Sequence, residues 1–277
     1  MTTNRRAAVL GSPIAHSLSP LLHRAAYARL GLDGWSYGRH EVDEAGLPDF
    51  VEGLDESWAG LSLTMPLKRA VIPLLDELDP SALAVHAVNT LIFRADGARY
   101  GENTDVPGFA NALRERGVAA VGHAAVLGGG ATAGSALAAL SELVKGPITV
   151  YVRNPAKLAE FDDLVAHFGL ELEPRPWREA AQAAAADLVV NTTPAGAADE
   201  LAEALPARVG TLFDVLYHPW PTPLAAAWAA RGGAVLGGQD LLLHQAVRQV
   251  ELMTGVAGRG PEILEAMRQA LAGPSRG

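Results

Sequence analysis

The sequence predicts an α/β protein of two domains, the second built on a doubly wound parallel sheet. Three observations carry this. The chain has 277 residues, enough for two cores of ordinary size. Short apolar runs alternate with helix-length segments along nearly all of it, the pattern of strands joined by crossover helices. A glycine triplet, Gly128-Gly129-Gly130, separates a strand-like run from a helix-like one. The domains expected are 1–105, rejoined by C-terminal helices over 238–277, and 106–237.

The elements follow in order. Ala7–Leu10 is apolar and stops at Gly11, giving a first strand. Ser19-Pro20 reads as an N-cap with Pro at N1, opening a helix through Leu30 that Gly31 ends. Trp35–Val42 and Leu61–Leu63 read as strands, and Met65-Pro66 begins a turn into Val71–Leu78. Thr90–Phe93 and Arg99–Tyr100 flank Ala95-Asp96-Gly97 and predict a hairpin. A helix over Val106–Arg116 ends at Gly117. From there strand and helix alternate: a strand at Ala124–Leu127, then a helix over Thr132–Lys145 with a cation in its last turn and Gly146 beyond it. Further strands fall at Ile148–Val152, Asp187–Val190, Leu212–Val215 and Ala234–Leu236. Thr222-Pro223 caps another helix, and Leu241–Met253 and Pro261–Leu271 close the chain as helices. No period of 20–50 residues repeats, which excludes solenoids and propellers.

Composition narrows the function. Apolar residues make up 49% and charged residues 19%, a globular balance far from that of disordered chains. The net charge of −9 disfavours nonspecific nucleic-acid binding. The absence of cysteine removes disulfides, thiolate zinc, iron–sulfur clusters and cysteine nucleophiles, and fits a cytoplasmic protein. The histidines lack metal-ligand spacing, so no metal is expected. The N-terminal apolar run is too short for a signal peptide. The uncharged stretch from Gly117 to Ser141 has the length of a membrane span, but its central glycines favour strand, turn and buried helix.

Gly128-Gly129-Gly130-Ala131-Thr132-Ala133 matches G-x-G-x-x-G/A between strand and helix, the setting in which that motif binds a dinucleotide. The first glycine permits the tight turn. The second admits a pyrophosphate to the backbone, and the helix N-terminus meets its charge. The end of the next strand reads Val152-Arg153-Asn154-Pro155-Ala156-Lys157, with no acid to hold an NAD ribose. A cation there suits a 2′-phosphate, so the Rossmann-type domain is expected to take NADP.

The first half carries polar clusters where strands should end: Gly11–Pro20, Ser62–Lys68, Asn89-Thr90 and Asn103-Thr104-Asp105. In an apolar chain these suggest a site for a polyhydroxylated ligand. These segments resemble the shikimate dehydrogenase family. Its G-x-P-I-x-H-S-x-S-P signature runs unbroken over Gly11–Pro20. Its N-V-T-x-P-x-K appears as Ser62–Lys68, its A-V-N-T as Ala87–Thr90, and its N-T-D as Asn103–Asp105. The cofactor segment is Val152–Lys157, and Asn191–Gly196, Asp214–Tyr217 and Gly238–Gln245 resemble the later motifs. Ser62 stands where the family usually has Asn, Val152 and Asn154 replace its Asn and Thr, and Ala131 stands where a further Gly is common.

The resemblance implies an N-terminal substrate domain, a Rossmann-type NADP domain, and reversible NADPH-dependent reduction of 3-dehydroshikimate to shikimate in aromatic amino acid biosynthesis. It implies Lys68 and Asp105 as catalytic residues. Ser17 and Ser19 should meet the substrate carboxylate, and Thr64, Asn89, Tyr217 and Gln245 should hold its hydroxyls or carboxylate. Gly128, Gly129, Gly130, Ala131, Thr132, Arg153, Asn154, Lys157, Thr192, Val215 and Gly238 should bind the cofactor. A monomer or a homodimer is compatible with the sequence. The alternatives are an NAD-preferring quinate/shikimate dehydrogenase, against which Arg153 argues, and an inactive ligand-sensing relative, against which Lys68 and Asp105 argue.

Overall fold

The computed structural model describes residues 4–273. The chain divides into two compact units, one running up to Thr104 and resuming at Leu242, the other spanning Asp105–Leu241.

The first unit contains β1 (Arg5–Gly11), α1 (Ser19–Leu30), β2 (Trp35–Glu41), α2 (Leu47–Glu52), β3 (Trp58–Leu63), α3 (Leu67–Ala70), β4 (Glu77–Leu78), α4 (Pro80–Val85), β5 (Thr90–Phe93) and β6 (Arg99–Glu102). Its six strands form one mixed sheet in the order β2-β1-β3-β5-β6-β4. β1 runs parallel to β2 and β3, whereas β5 is antiparallel to β3 and to β6. Side chains alternate across the sheet. Ala7 and Val9 face a core with Leu22, Ala26 and helices from the chain's C-terminal end. Ala8 and Leu10 face a second core with Leu47, Leu61 and Leu67. Both faces are covered, which is why β1 reads as an unbroken apolar run.

The second unit begins with α5 (Asp105–Glu115), β7 (Ala124–Leu127), α6 (Ala131–Leu140), β8 (Ile148–Val152), α7 (Asp162–Phe168) and β9 (Leu172–Pro176). It continues with β10 (Leu188–Asn191), β11 (Thr211–Asp214), α8 (Pro223–Ala230) and β12 (Ala234–Leu236). Short 3-10 segments at Pro155–Phe161, Trp177–Ala185 and Asp199–Ala204 do part of the crossing. Its sheet is wholly parallel, in the order β12-β11-β10-β7-β8-β9. Strand order reverses between β7 and β10, the arrangement of a doubly wound dinucleotide-binding sheet. The uncharged Gly117–Ser141 stretch is strand, glycine turn and buried helix, and no helix among the described residues is long and apolar enough to cross a membrane. The chain then re-enters the first unit within α9 (Gly238–Thr254), followed by α10 (Gly260–Ala272).

Two local expectations need correction, and one strand was not expected. Ser19 is not the N-cap of α1: Leu18 holds that position, without a side-chain cap, and Ser19 is the first helical residue. The hydroxyl of Ser17 accepts instead, from the Ser19 N–H at 3.3 Å. The helix expected to reach Lys145 stops at Leu140. There the Ser141 hydroxyl turns back onto the Ala138 carbonyl, and Val144 pairs with Val121 in an isolated bridge, so Lys145 lies outside any last turn. Strand β9 is an addition; its Leu-Glu-Pro-Arg-Pro sequence suits only an edge, where missing N–H groups break no ladder. Thr222 does cap α8, accepting from the Ala225 N–H at 3.1 Å.

Candidate functional site

The topology of the first sheet brings its polar segments to one edge. β1 and β3 are parallel, so the Gly11–Pro20 and Thr64–Lys68 segments leave at the same end. β5 is antiparallel to β3 with Thr90 opposite Ser62, which puts Asn89 there too. β6 returns antiparallel, with Glu102 opposite Thr90, and delivers Asn103 and Thr104. Hydrogen bonds tie these segments together. The Thr64 N–H donates to the Leu10 carbonyl (3.0 Å), Leu63 N–H to Asn89 (2.7 Å) and Val88 N–H to Lys68 (2.8 Å). Asn89 is the hub, buried at 2% exposure. Its Oδ1 accepts from the Thr104 N–H (2.8 Å), the Thr90 hydroxyl (2.8 Å) and the Thr104 hydroxyl (3.1 Å). Those donors fix the amide, leaving Nδ2 as its donating end. Gln245, on α9, donates to the Leu242 carbonyl at 2.8 Å, with its Oε1 3.5 Å from the Thr104 hydroxyl whose proton goes to Asn89. Lys68 is half-buried on α3; Ser19 is buried and Ser17 half-buried.

The second unit gathers its own set. Asp105, buried, opens α5 directly after Thr104. Because every strand is parallel, Gly128–Gly130, Arg153-Asn154, Thr192, Val215 and Gly238 all follow strand ends on one edge. Gly128 sits at φ +113°, and a Cβ there would lie 2.5 Å from Thr192 Oγ1, so the turn requires glycine. Thr192 closes the other side by donating its hydroxyl to Leu127 (2.8 Å). This pair flanks the point where strand order reverses, where open α/β sheets bind ligands. Gly130 caps α6 without a side chain, and the space where its Cβ would stand is open. The first-turn N–H groups of Ala131 and Thr132 can therefore meet an anion. Arg153 and Lys157 are exposed, and neither has an ion-pair partner among the described residues. Asn154 accepts from the Ala156 N–H (3.2 Å) and caps the next segment. These groups fit a dinucleotide carrying an extra phosphate: glycine cradle, helix N-terminus and two unspent cations.

Tyr217 lies in this unit, half-buried on the segment after β11, with burial raising its pKa. Gly238 packs against that segment; a Cβ on it would stand 2.1 Å from the Val215 carbonyl. Beneath them the fully buried Asp214 accepts from Thr222 (2.7 Å), Asn191 (3.2 Å) and the Leu216 N–H (3.3 Å), while burial raises its pKa. No group of three His, Asp or Glu residues among the described residues is placed to hold a metal.

Comparison with known proteins identifies this combination. The model of the shikimate dehydrogenase substrate-binding domain matches residues 9–91. A shikimate dehydrogenase (NADP(+)) of Methylobacterium radiotolerans is 39% identical over 97% of this chain and 98% of its own. The chain belongs to the shikimate dehydrogenase family. The crystal structure of the shikimate dehydrogenase of Mycobacterium tuberculosis superposes with a TM-score of 0.87 and 43% identity, covering 95% of this chain and 99% of that one. The shikimate dehydrogenase of Thermus thermophilus, solved in complex with NADP(H) and shikimate, superposes at 0.81 with 34% identity over 96% and 99%.

Sequence reading missed two parts of the framework of this shikimate dehydrogenase family member. One is the Asn191–Asp214–Thr222 cluster, whose members look like separate turn residues. The other is Gln249, whose spacing of four from Gln245 was the available signal, since it places both on one helix face.

Proposed function

We propose that this chain is a shikimate dehydrogenase, reducing 3-dehydroshikimate reversibly to shikimate with NADP(H). The observation that carries the reading is the match, segment by segment, between the family's substrate motif and the polar edge of the first sheet. NADPH, when bound, supplies the hydride. The protein's task is the rest. A carbonyl oxygen that gains negative charge needs a proton and a nearby cation. Lys68 offers both, and Asp105 is the second group able to take up and release a proton. Ser17 and Ser19 receive the substrate carboxylate. Thr64, Asn89, Tyr217 and Gln245 hold its hydroxyls or carboxylate, with Asn89 acting as donor because its oxygen is filled.

On the cofactor side, the backbone from Gly128 through Thr132 receives the pyrophosphate. Arg153, Asn154 and Lys157 meet the 2′-phosphate, while Thr192, Val215 and Gly238 border the rest. The test is a substrate comparison with NADP, following the nicotinamide absorbance. Shikimate should be oxidised efficiently and quinate weakly. Turnover of quinate alone, or of neither, would refute the reading.

A further inference from the structure

We infer that Gln249 on α9 is a positioning residue for the substrate-binding amide of Asn89, acting through a one-directional hydrogen-bond chain that begins at Tyr37. The inference rests on the reading above that Asn89 meets the substrate. Two backbone groups fix the direction of every bond. The Asn89 carbonyl can only accept, so the Gln249 end that faces it at 3.2 Å is the donor Nε2. The same Nε2 reaches the Thr90 hydroxyl at 2.9 Å. Oε1 of Gln249 then points at Ser62, which must donate to it (2.7 Å), and Ser62 accepts from the Tyr37 hydroxyl (2.6 Å). At the other end the Thr104 N–H can only donate, so its partner on Asn89 is Oδ1. Thr90, having accepted from Gln249, gives its single proton to that oxygen at 2.8 Å.

The chain therefore runs Tyr37 to Ser62 to Gln249 to Thr90 to Asn89, each donor polarised by the one before it. Its side chains are all buried, Tyr37 at 1%, Ser62 at 4%, Gln249 at 2%, Thr90 at 0% and Asn89 at 2% exposure, so water does not compete for these bonds. His23 completes the setting. Its Nε2 meets the acceptor Oε1 of Gln249 at 3.3 Å and so carries the hydrogen, while the ring stacks on Tyr37 at 3.9 Å. Burial pulls the His23 pKa down to about 3, so the ring is neutral and sends no charge into the chain. Ser62, where the family usually has Asn, is small enough to sit between Tyr37 and Gln249 and both accept and donate. The chain makes the donating end of Asn89 a fixed feature of the site before any ligand arrives.

The experiment compares full-length Gln249→Met, Thr90→Val, Thr90→Ser and Asn89→Ala in steady-state oxidation of shikimate. Breaking the chain that orients the amide should raise KM for shikimate about threefold to tenfold in Gln249→Met and in Thr90→Val. KM for NADP should stay put. Thr90→Ser, which keeps the hydroxyl, should restore the parent KM. The double variant Gln249→Met/Thr90→Val should cost little more than either alone, because both break one chain. A role confined to docking α9 would lower stability without separating the two KM values. If Gln249→Met does not fold, Thr90→Val against Thr90→Ser carries the same comparison. The inference is overturned if Asn89→Ala raises KM for shikimate while Thr90→Val and any folded Gln249→Met do not. If Asn89→Ala leaves KM unchanged, the underlying reading of Asn89 fails first, and the inference falls with it.

Discussion

Replacing Arg153 by Asp should move cofactor preference from NADP toward NAD. Arg153 stands immediately beyond β8, the strand end at which a dinucleotide's adenosine ribose is read. It is exposed, and no acidic side chain among the described residues engages it. The substitution thus breaks no ion pair, and thermal stability should hold. On the proposed assignment it removes a forked, charge-assisted contact to the 2′-phosphate, worth about 1.5–3 kcal/mol. That corresponds to about one to two decades in kcat/KM for NADP, nearer one because the site is open to solvent. Lys157, exposed in the 3-10 segment that follows, should retain part of the proposed phosphate contact. Asp adds repulsion toward the phosphate and an acceptor for the NAD ribose hydroxyls, so discrimination shifts from both sides. The assay is the ratio of kcat/KM for NADP and NAD, with shikimate saturating, in parent and variant. An unchanged ratio would remove Arg153 from the site and refute the positional argument.

Lys68→Ala should fold and lose at least about a hundredfold in turnover, the low end for removing a general acid–base group; near-normal kcat in the purified variant would end its catalytic assignment. Asp105→Asn should likewise lower kcat heavily, and an effect confined to KM for shikimate would make Asp105 a binding residue. Thr222→Ala removes both the α8 cap and a donor to buried Asp214, which together should cost about 2–4 kcal/mol in urea unfolding. Because the folded pKa of His23 lies near 3, below its ordinary 6.5, its contribution is intact above 6.5 and lost as pH falls toward 3, at about 1.4 kcal/mol per pH unit. His23→Leu should flatten that slope in unfolding measurements taken just below pH 6.5, and an unaltered slope would show that the imidazole is protonated without cost.

The buried strands β1, β7, β8, β10 and β11 were legible because both their faces are covered, which writes them as apolar runs. The edge strands β4 and β9 lack that signature. β9 carries two prolines and two charges, and β4 is only Glu77-Leu78, held by its pairing with β6. Ser19 misled because a Ser-Pro pair fits a cap and one residue further in equally well; Ser17, two residues back, takes the N–H instead. α6 ends early because Ser141 offers its hydroxyl to the helix's own backbone, a competition that apolar patterning does not register. The motif residues of the candidate site were legible one by one. What joins them was not, since Gln249 meets Asn89 and Ser62 across 160 and 187 positions of sequence. Such pairings are decided by how α9 packs on the sheet, and only the α9 spacing of Gln245 and Gln249 hints at them.

As a shikimate dehydrogenase, the chain should transfer hydride between shikimate and NADP. The most direct measurement is the nicotinamide absorbance of the purified parent protein mixed with shikimate and, in parallel, NADP or NAD. NADPH should form, matched mole for mole by 3-dehydroshikimate, with kcat/KM for NADP at least about tenfold above that for NAD. No reduction of NADP in the presence of shikimate, or a clear preference for NAD, would contradict it.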